Sequence, residues 1–389
     1  MRTPLLAALL LLPACELFGG GEPTPDAGEA EVDAGSPQLP SATPVQVVLG
    51  RVHTCALTST GAVRCWGENE SGQLGLESDT TNTPAQVVTL TSGVKALAAS
   101  NASDFTCALL GDGTVKCWGN DGYGQLGAGR PITNTASTNS FTPLAVAGLS
   151  DVRAIAAGQS HACALLGTGH VKCWGDNDTG QLGNDTTTRS NAPVEVLDLV
   201  DATALAAGWS HSCAVTARHT VACWGEGRLR PVEVPMVSTA EKVFAGYHST
   251  CVITTSGGTL CWGDNTDYQL GQNPSASEPT AVMSLTANVT HLAMSSGVGC
   301  AITAGKPQCW GDNWYGQLGN DTGPSFQTWA PVDIVGLTSG ATAVALGLQN
   351  TCVIAAGQLK CWGAGWVGNG NPDSLHLPFL TPEAVVSLP

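Results

Sequence analysis

His161-Ala162-Cys163-Ala164-Leu165-Leu166-Gly167-Thr168-Gly169-His170-Val171-Lys172-Cys173-Trp174-Gly175 reads as a hairpin, two short apolar arms around a glycine-bearing turn with one cysteine in each arm. Its closing tripeptide recurs seven times, at Cys65-Trp66-Gly67, Cys117-Trp118-Gly119, Cys173-Trp174-Gly175, Cys223-Trp224-Gly225, Cys261-Trp262-Gly263, Cys309-Trp310-Gly311 and Cys361-Trp362-Gly363. A second cysteine precedes each, at Cys55, Cys107, Cys163, Cys213, Cys251, Cys300 and Cys352, ten residues earlier in five copies and nine in the last two. If the cysteines face each other across antiparallel strands, ten leaves a three-residue loop and nine leaves two. Three-residue hairpin loops take a left-handed residue last, most readily glycine. Gly61, Gly113, Gly169 and Gly257 stand there, with His219 in the fourth copy. The two-residue loops are Ala304-Gly305 and Ala356-Gly357. Turn chemistry and register agree in every copy, so each pair is expected to bridge. Opposed Cα atoms about 4.5–5.5 Å apart suit a disulfide, and closing ~10 residues contributes roughly 2–3 kcal/mol in the chain-entropy picture. Buried free thiols would fit the same places. Zinc fits poorly, because the pairs lack Cys-x-x-Cys spacing.

The compartment bears on that choice. Arg2 precedes an apolar run, Leu5 to Leu12, that is too short to span a bilayer and has the layout of a secretory signal. Leu12-Pro13-Ala14-Cys15 follows and resembles the bacterial lipobox, which implies that Cys15 is the lipidated first residue of the mature chain. Fifteen cysteines are fourteen in hairpins plus Cys15. Export favours disulfides. Glu16 after the cysteine implies the outer membrane of a bacterial envelope. Residues 16–44 carry Gly19-Gly20-Gly21, several prolines and six acids (Glu16, Glu22, Asp26, Glu29, Glu31, Asp33) with no Lys or Arg. Such a composition buries too little apolar surface to fold and reads as a tether. The expected organisation is a lipoprotein signal over 1–15, a tether over 16–44 and a repeat domain over 45–389.

The repeat domain holds seven units with a period close to 49 residues, which points to a propeller, solenoid or array. The third unit shows the plan: Val152-Arg153-Ala154-Ile155-Ala156-Ala157-Gly158, the hairpin quoted above, then Asn177, Gly180-Gln181-Leu182-Gly183, and Pro193-Val194-Glu195-Val196. These are four short strands, A to D, with no helical period, so the expected fold is all-β: a seven-bladed β-propeller of four-stranded antiparallel blades. Ala156, Ala157 and Gly158 suit a crowded place near the axis. Charged residues are 12% of the chain, against about 25% in a typical domain, as blades buried on both faces require. The Cys-Trp-Gly tryptophans are expected to pack blade on blade. The signature A-A-G-x-x-H-x-C-A-L…G-x-V-x-C-W-G-x-N-x-x-G-Q-L-G resembles the repeat of the regulator of chromosome condensation family. That resemblance implies the seven-bladed fold. It does not choose a function, since the family includes guanine-nucleotide exchange factors, a secreted β-lactamase inhibitor and many uncharacterised surface proteins.

Departures from the repeat carry more functional information. In the fourth unit only Glu226-Gly227-Arg228-Leu229-Arg230 separates Gly225 from Pro231, so the Gly-Gln-Leu-Gly loop is missing and a notch is expected there. The seventh unit has Trp366-Val367-Gly368 instead. Thr43 to Val48 resembles a D strand, yet its distance to His53 makes it strand A. His53, His161 and His211 precede their cysteines by two; other units lack the histidine, so it is expected to tie a turn to backbone rather than to catalyse. Asp176-Asn177-Asp178 fails the calcium-loop spacing and suits a turn. No nucleophile elbow, phosphate loop or HExxH site occurs, so neither enzyme activity nor a cofactor or metal is expected.

Without Arg2 and the six tether acids, the propeller carries about −11 of the chain's formal −16. This disfavours nucleic acid, and export disfavours a cytoplasmic GTPase partner. The expectation is a monomeric, membrane-anchored module that binds a protein or peptide; a glycan or cell-wall ligand, or inhibition of a secreted enzyme, is the alternative. The A–B and C–D loops of such blades share one face. Four positions before the first cysteine stand Arg51, Ser103, Gln159, Trp209, Tyr247, Ser296 and Leu348, and the C–D loops add Tyr123, Tyr268, Trp314 and Tyr315. Arg51, Tyr123, Trp209, Tyr247, Tyr268, Trp314 and Tyr315 are the candidate contact residues, with the aromatic cluster in units four to six.

Overall fold

A computed structural model describes residues 42–132, 138–272, 278–282, 284–323, 326–371, 377–386 and 388. Cys15, the leader and all but the last three residues of the 16–44 tether lie outside them. The first strand begins at Pro44, one residue before the expected boundary. Each repeat forms one antiparallel sheet of four strands in chain order, and there are seven such sheets. In blade one strands A to D are Pro44–Leu49, His53–Thr58, Val63–Gly67 and Thr81–Gln86.

The seven A strands surround a central channel of about 370 Å³, lined by segments such as Ile155-Ala156-Ala157 and Leu205-Ala206-Ala207. Small residues recur in this lining, among them Ala98, Ala156, Ala206 and Ala245, beside larger ones such as Phe244 and Met294. Pro44–Leu49 pairs with His53–Thr58, so it is strand A of blade one. The ring closes by packing, not by exchange of a strand. Val47, Leu49 and Trp66 of blade one share a core cluster with Ile354, Leu359 and Val367 of blade seven. Asn82 adds polar stitching: its side-chain oxygen accepts from Gly368 N at 3.0 Å and its amide donates to Asn371 O at 2.6 Å.

The hairpins follow the turn arithmetic. The last loop residues are left-handed at Gly61 (φ 79°), Gly113 (80°), Gly169 (85°), Gly257 (77°) and His219 (62°). In the two-residue loops both positions are left-handed, Ala304 at 50° and Gly305 at 81°, Ala356 at 50° and Gly357 at 75°. That is the two-residue hairpin turn whose twist matches the strands. Thr58 N donates to Ala62 O. Hydrogen-bonded pairs therefore alternate outward from 58/62, and Cys55 and Cys65 oppose each other at a non-hydrogen-bonded place, where strands approach most closely. The pairs Cys55–Cys65, Cys107–Cys117, Cys163–Cys173, Cys213–Cys223, Cys251–Cys261, Cys300–Cys309 and Cys352–Cys361 sit at bonding distance, sulfurs 2.03–2.10 Å apart. Their Cα atoms are 4.0–4.1 Å apart, nearer than the sequence-based expectation, as the close pairing place allows.

The histidines correct the reading of them as turn-to-backbone ties. His53 Nε2 meets Thr106 Oγ1 at 2.7 Å, His161 Nε2 meets Ser212 Oγ at 2.8 Å and His211 Nε2 meets Thr250 Oγ1 at 3.0 Å. Each partner is a hydroxyl on strand B of the next blade, so the histidine ties blade to blade. Burial pushes His53 down to about 4 and His161 down to about 3, because a charged imidazole loses its hydration there.

Candidate functional site

In every blade the first residue of the C–D loop donates its N–H to a carbonyl of the A–B loop, as in Glu68 to Val52 (3.0 Å) and Asp264 to His248 (2.9 Å). Both loop sets therefore lie on one face. Most C–D loops share one build. The side-chain oxygen of Asn69, Asp121, Asn177, Asn265 or Asn313 accepts from the amide of Leu74, Leu126, Leu182, Leu270 or Leu318, at 2.8–3.0 Å. These are turn contacts, in line with the reading of Asp176-Asn177-Asp178 as a turn.

The folded loop then seals the next blade. The glutamine carbonyl accepts the indole N–H of the following tryptophan: Gln73 from Trp118, Gln125 from Trp174, Gln181 from Trp224, Gln269 from Trp310 and Gln317 from Trp362, at 2.8–2.9 Å. Blade seven does the same with Trp366 O and Trp66 Nε1 at 3.1 Å. The leucine is fully buried, and the glycine after it lies flat on the indole. At Gly183 a Cβ would come within 2.9 Å of Trp224, and φ is 67°, so only glycine fits.

Blade four lacks this loop, and the expected notch is there. A cavity of about 570 Å³ opens between blades four and five, lined by His211, Cys223, Glu226, Arg228, Val232 to Pro235, His248, Thr250, Trp262, Gly263, Glu278 and Pro279. All seven tryptophans pack between blades as expected, Trp262 against the cluster that holds Cys223, Val243 and Val252, but Trp262 is the least enclosed of them. The other six are fully buried, whereas Trp262 is half-buried, and among the described residues no acceptor meets its N–H. Cys223 is 6% exposed, while Cys117 and Cys173 are 0%. Glu226, one of the two loop residues left, takes His248 Nδ1 at 2.8 Å and lies 3.5 Å from His211 Nδ1. Burial holds His211 below its ordinary value, with Glu226 opposing.

An aromatic cluster adjoins the notch through His248, which lines it. Trp209 and Tyr247 meet with centroids 3.6 Å apart and planes tilted by 56°, and His248 meets the Tyr247 ring edge-on at 4.7 Å. Trp314 and Tyr315 stand on the blade-six loop, 58% and 41% exposed. Tyr268 takes the left-handed place that glycine holds in sister loops, φ 64° against 80° at Gly72. Among the described residues the ring contacts join Trp209, Tyr247 and His248; Tyr268, Trp314 and Tyr315 share the face without entering that cluster. Two candidates are engaged within the fold. Arg51 is clamped by Asp104, with bonds of 2.9–3.2 Å. Tyr123 lies under the Arg189 guanidinium, 4.4 Å from its centroid. Ser103, at the same A–B position, is fully buried and bonds backbone, so that ring of positions is not uniformly a surface. Glu226, His248 and Trp262 were not singled out from sequence. The missing loop was their signal, once the glutamine carbonyl is known as the seal.

The repeat described as "Regulator of chromosome condensation (RCC1) repeat" matches residues 60–109, 112–165, 168–215 and 256–302, and a second form of it matches 45–73, 94–125, 152–181 and 240–269. Neither covers residues 216–239, where the loop is lost. The ultraviolet-B receptor UVR8 of Arabidopsis thaliana is 36% identical over 138 residues, which are 34% of this chain and 30% of that protein. The chain thus spans about a third of the length of that relative. Human WBSCR16 superposes with a TM-score of 0.70 at 20% identity, over 80% of this chain and 86% of that one. Prp20p from Saccharomyces cerevisiae gives 0.69 at 18% identity, over 88% and 87%. At those identities the likeness concerns the fold. The repeat matches, the seven blades and the tryptophan seal together show that the chain belongs to the regulator of chromosome condensation (RCC1) repeat family.

Proposed function

We propose that the protein is an exported, lipid-anchored propeller that recognises a protein or peptide at the bacterial envelope, using the A–B and C–D loop face of blades four to six. The observation that carries this is the junction of the notch with the Trp209–Tyr247–His248 cluster, through His248, which lines the notch. Large amphipathic rings beside a preformed cleft are the usual anchors of an interface. Prp20p has binding properties toward Gsp1p and histones, which supports reading the fold as a binding platform. Cys15 and the 16–44 tether would hold that platform above the membrane.

A hydrolytic reading meets a specific objection. Thr250, His211 and Glu226 stand in the order hydroxyl, imidazole, carboxylate. The same hydroxyl–imidazole pair recurs at Thr106–His53 and Ser212–His161, in junctions that the preceding blade's glutamine carbonyl seals. Its role there is to join blades, and Thr250–His211 inherits that role. The test is capture from the organism's envelope and secreted fractions by the full chain and by its Trp209→Ala, Tyr247→Ala and Trp314→Ala variants. Weakened capture with unchanged thermal unfolding is the expected result. Undiminished capture, or saturable retention on isolated glycan alone, would overturn it.

A further inference from the structure

The notch is a vacated socket, and six occupied copies of it show what it was shaped to hold. In blade two, Leu126 packs with Cys117, Val146 and the next blade's Trp174. In blade three, Leu182 packs with Cys173, Val196 and Trp224. Strand register makes Cys223, Val234 and Trp262 the counterparts of these groups: Val194 pairs with Cys173 and Val232 with Cys223, so Val196 and Val234 both stand two residues further on. All three line the notch. Val196 is 1% exposed beneath its leucine, whereas Val234 is only partly buried.

The polar half of the socket is also in place. At two of the sealed junctions the glutamine carbonyl takes two donors. Gln317 O accepts from Trp362 Nε1 at 2.9 Å and from Thr351 Oγ1 at 2.8 Å, and Gln181 O from Trp224 Nε1 at 2.9 Å and Ser212 Oγ at 3.3 Å. Thr250 pairs directly with Trp262 across the hairpin, as Thr351 does with Trp362 and Ser212 with Trp224. Both donors face the cavity, and the Trp262 N–H has no acceptor among the described residues. A half-buried donor of this kind favours a ligand that supplies a carbonyl.

We infer that this socket docks a Gly-Xaa-Leu-Gly turn from a partner protein, taken up as a substitute for the missing loop. The carbonyl of the residue before leucine accepts from Trp262 Nε1 and Thr250 Oγ1. The leucine covers Cys223 and Val234, and the glycine lies flat on the Trp262 ring. The inference rests on the recognition reading above and names its partner by turn chemistry. A turn already formed in a folded partner, or in a cyclic peptide, loses little conformational freedom on entry.

The probe is a cyclised peptide carrying the third blade's own turn, Asn-Asp-Thr-Gly-Gln-Leu-Gly, added to the full chain labelled with ¹⁵N-tryptophan. The Trp262 indole resonance, assigned from its loss in Trp262→Phe, is expected to shift saturably while the other ten hold still. Peptides with Leu182→Asp or Gly183→Ala in the copied turn should bind at least tenfold more weakly. Trp262→Phe, read by anisotropy of labelled peptide, should weaken binding about fivefold to tenfold, the worth of one hydrogen bond. Replacing Glu226-Gly227 by residues 176–189 joins Gly225 to Arg228 as Gly175 joins Ser190. This graft should raise the melting temperature and abolish peptide binding. An unmoved Trp262 resonance at millimolar peptide, or altered peptides that bind as tightly as the parent turn, overturns the socket. Self-association of the full chain that the graft abolishes would name a second copy as occupant and equally overturn it. Partner capture that survives the graft but falls with Trp209→Ala refutes the socket and leaves the recognition reading standing; capture unaffected by either refutes both.

Discussion

Lowering the pH from 8 to 5 should cost this propeller about 4 kcal/mol through two histidines alone. In the unfolded chain His53 and His161 take up a proton around their ordinary value of 6.5; in the folded chain burial delays this to about 4 and about 3. A base whose folded pKa is depressed contributes its full stability above the unfolded value and loses it as pH falls toward the folded one. Protons then favour the unfolded state throughout the window from about 6.5 down to about 4. At pH 5 each group sits ~1.5 pH units below its unfolded pKa while remaining neutral in the fold, which is about 2 kcal/mol apiece. His211 acts in the same direction, moderated by Glu226. The assay is urea unfolding followed by tryptophan emission at pH 8, 7, 6 and 5, with the cysteine bridges left intact. The double variant His53→Gln and His161→Gln removes the titrating groups, so its midpoint should fall far less between pH 7 and 5, even if it starts lower. A wild-type midpoint that stays level across this range, or an equal fall in the double variant, would refute the reasoning.

Other consequences are as direct. Reduction of the exported protein should add two hydrogens per bridge, fourteen in all, to its intact mass; a gain near zero would dismiss both bridges and export. Cys15→Ser should release the chain from the membrane fraction without changing its melting temperature, and retention through a high-salt wash would contradict the lipid anchor. Trp224→Ala empties a sealed junction and loses a hydrogen bond, so it should cost about 3–5 kcal/mol, whereas Trp262→Ala should cost less than half of that. Equal losses at the two sites would show that Trp262 is sealed as well.

Recognition at this face draws on what the fold leaves unspent. Arg51 and Tyr123 are variable between repeats, yet their side chains are engaged by Asp104 and Arg189. Variation shows that a position is not framework; whether a side chain is available depends on its neighbour in the adjacent blade. Trp209, Tyr247 and His248 meet beside the cleft that the short C–D loop of blade four leaves.

By itself the sequence determined whatever is local or repeated. Hairpin register followed from cysteine spacing and turn length, because a two- or three-residue loop leaves one pairing with both cysteines opposed. Seven copies of a unit that cannot bury both faces alone implied blades packed in a ring, and the absent Gly-Gln-Leu-Gly implied the notch. Tertiary structure alone decided who meets whom across blades. Trp262 and Trp224 sit in the same Cys-Trp-Gly motif and differ in what the preceding blade supplies, a carbonyl 43 residues upstream at Gln181 for Trp224 and, among the described residues, none for Trp262. His53 reaches Thr106, 53 residues away. Such partners are set by the rotation from one blade to the next, a property of the packed ring that no single repeat encodes.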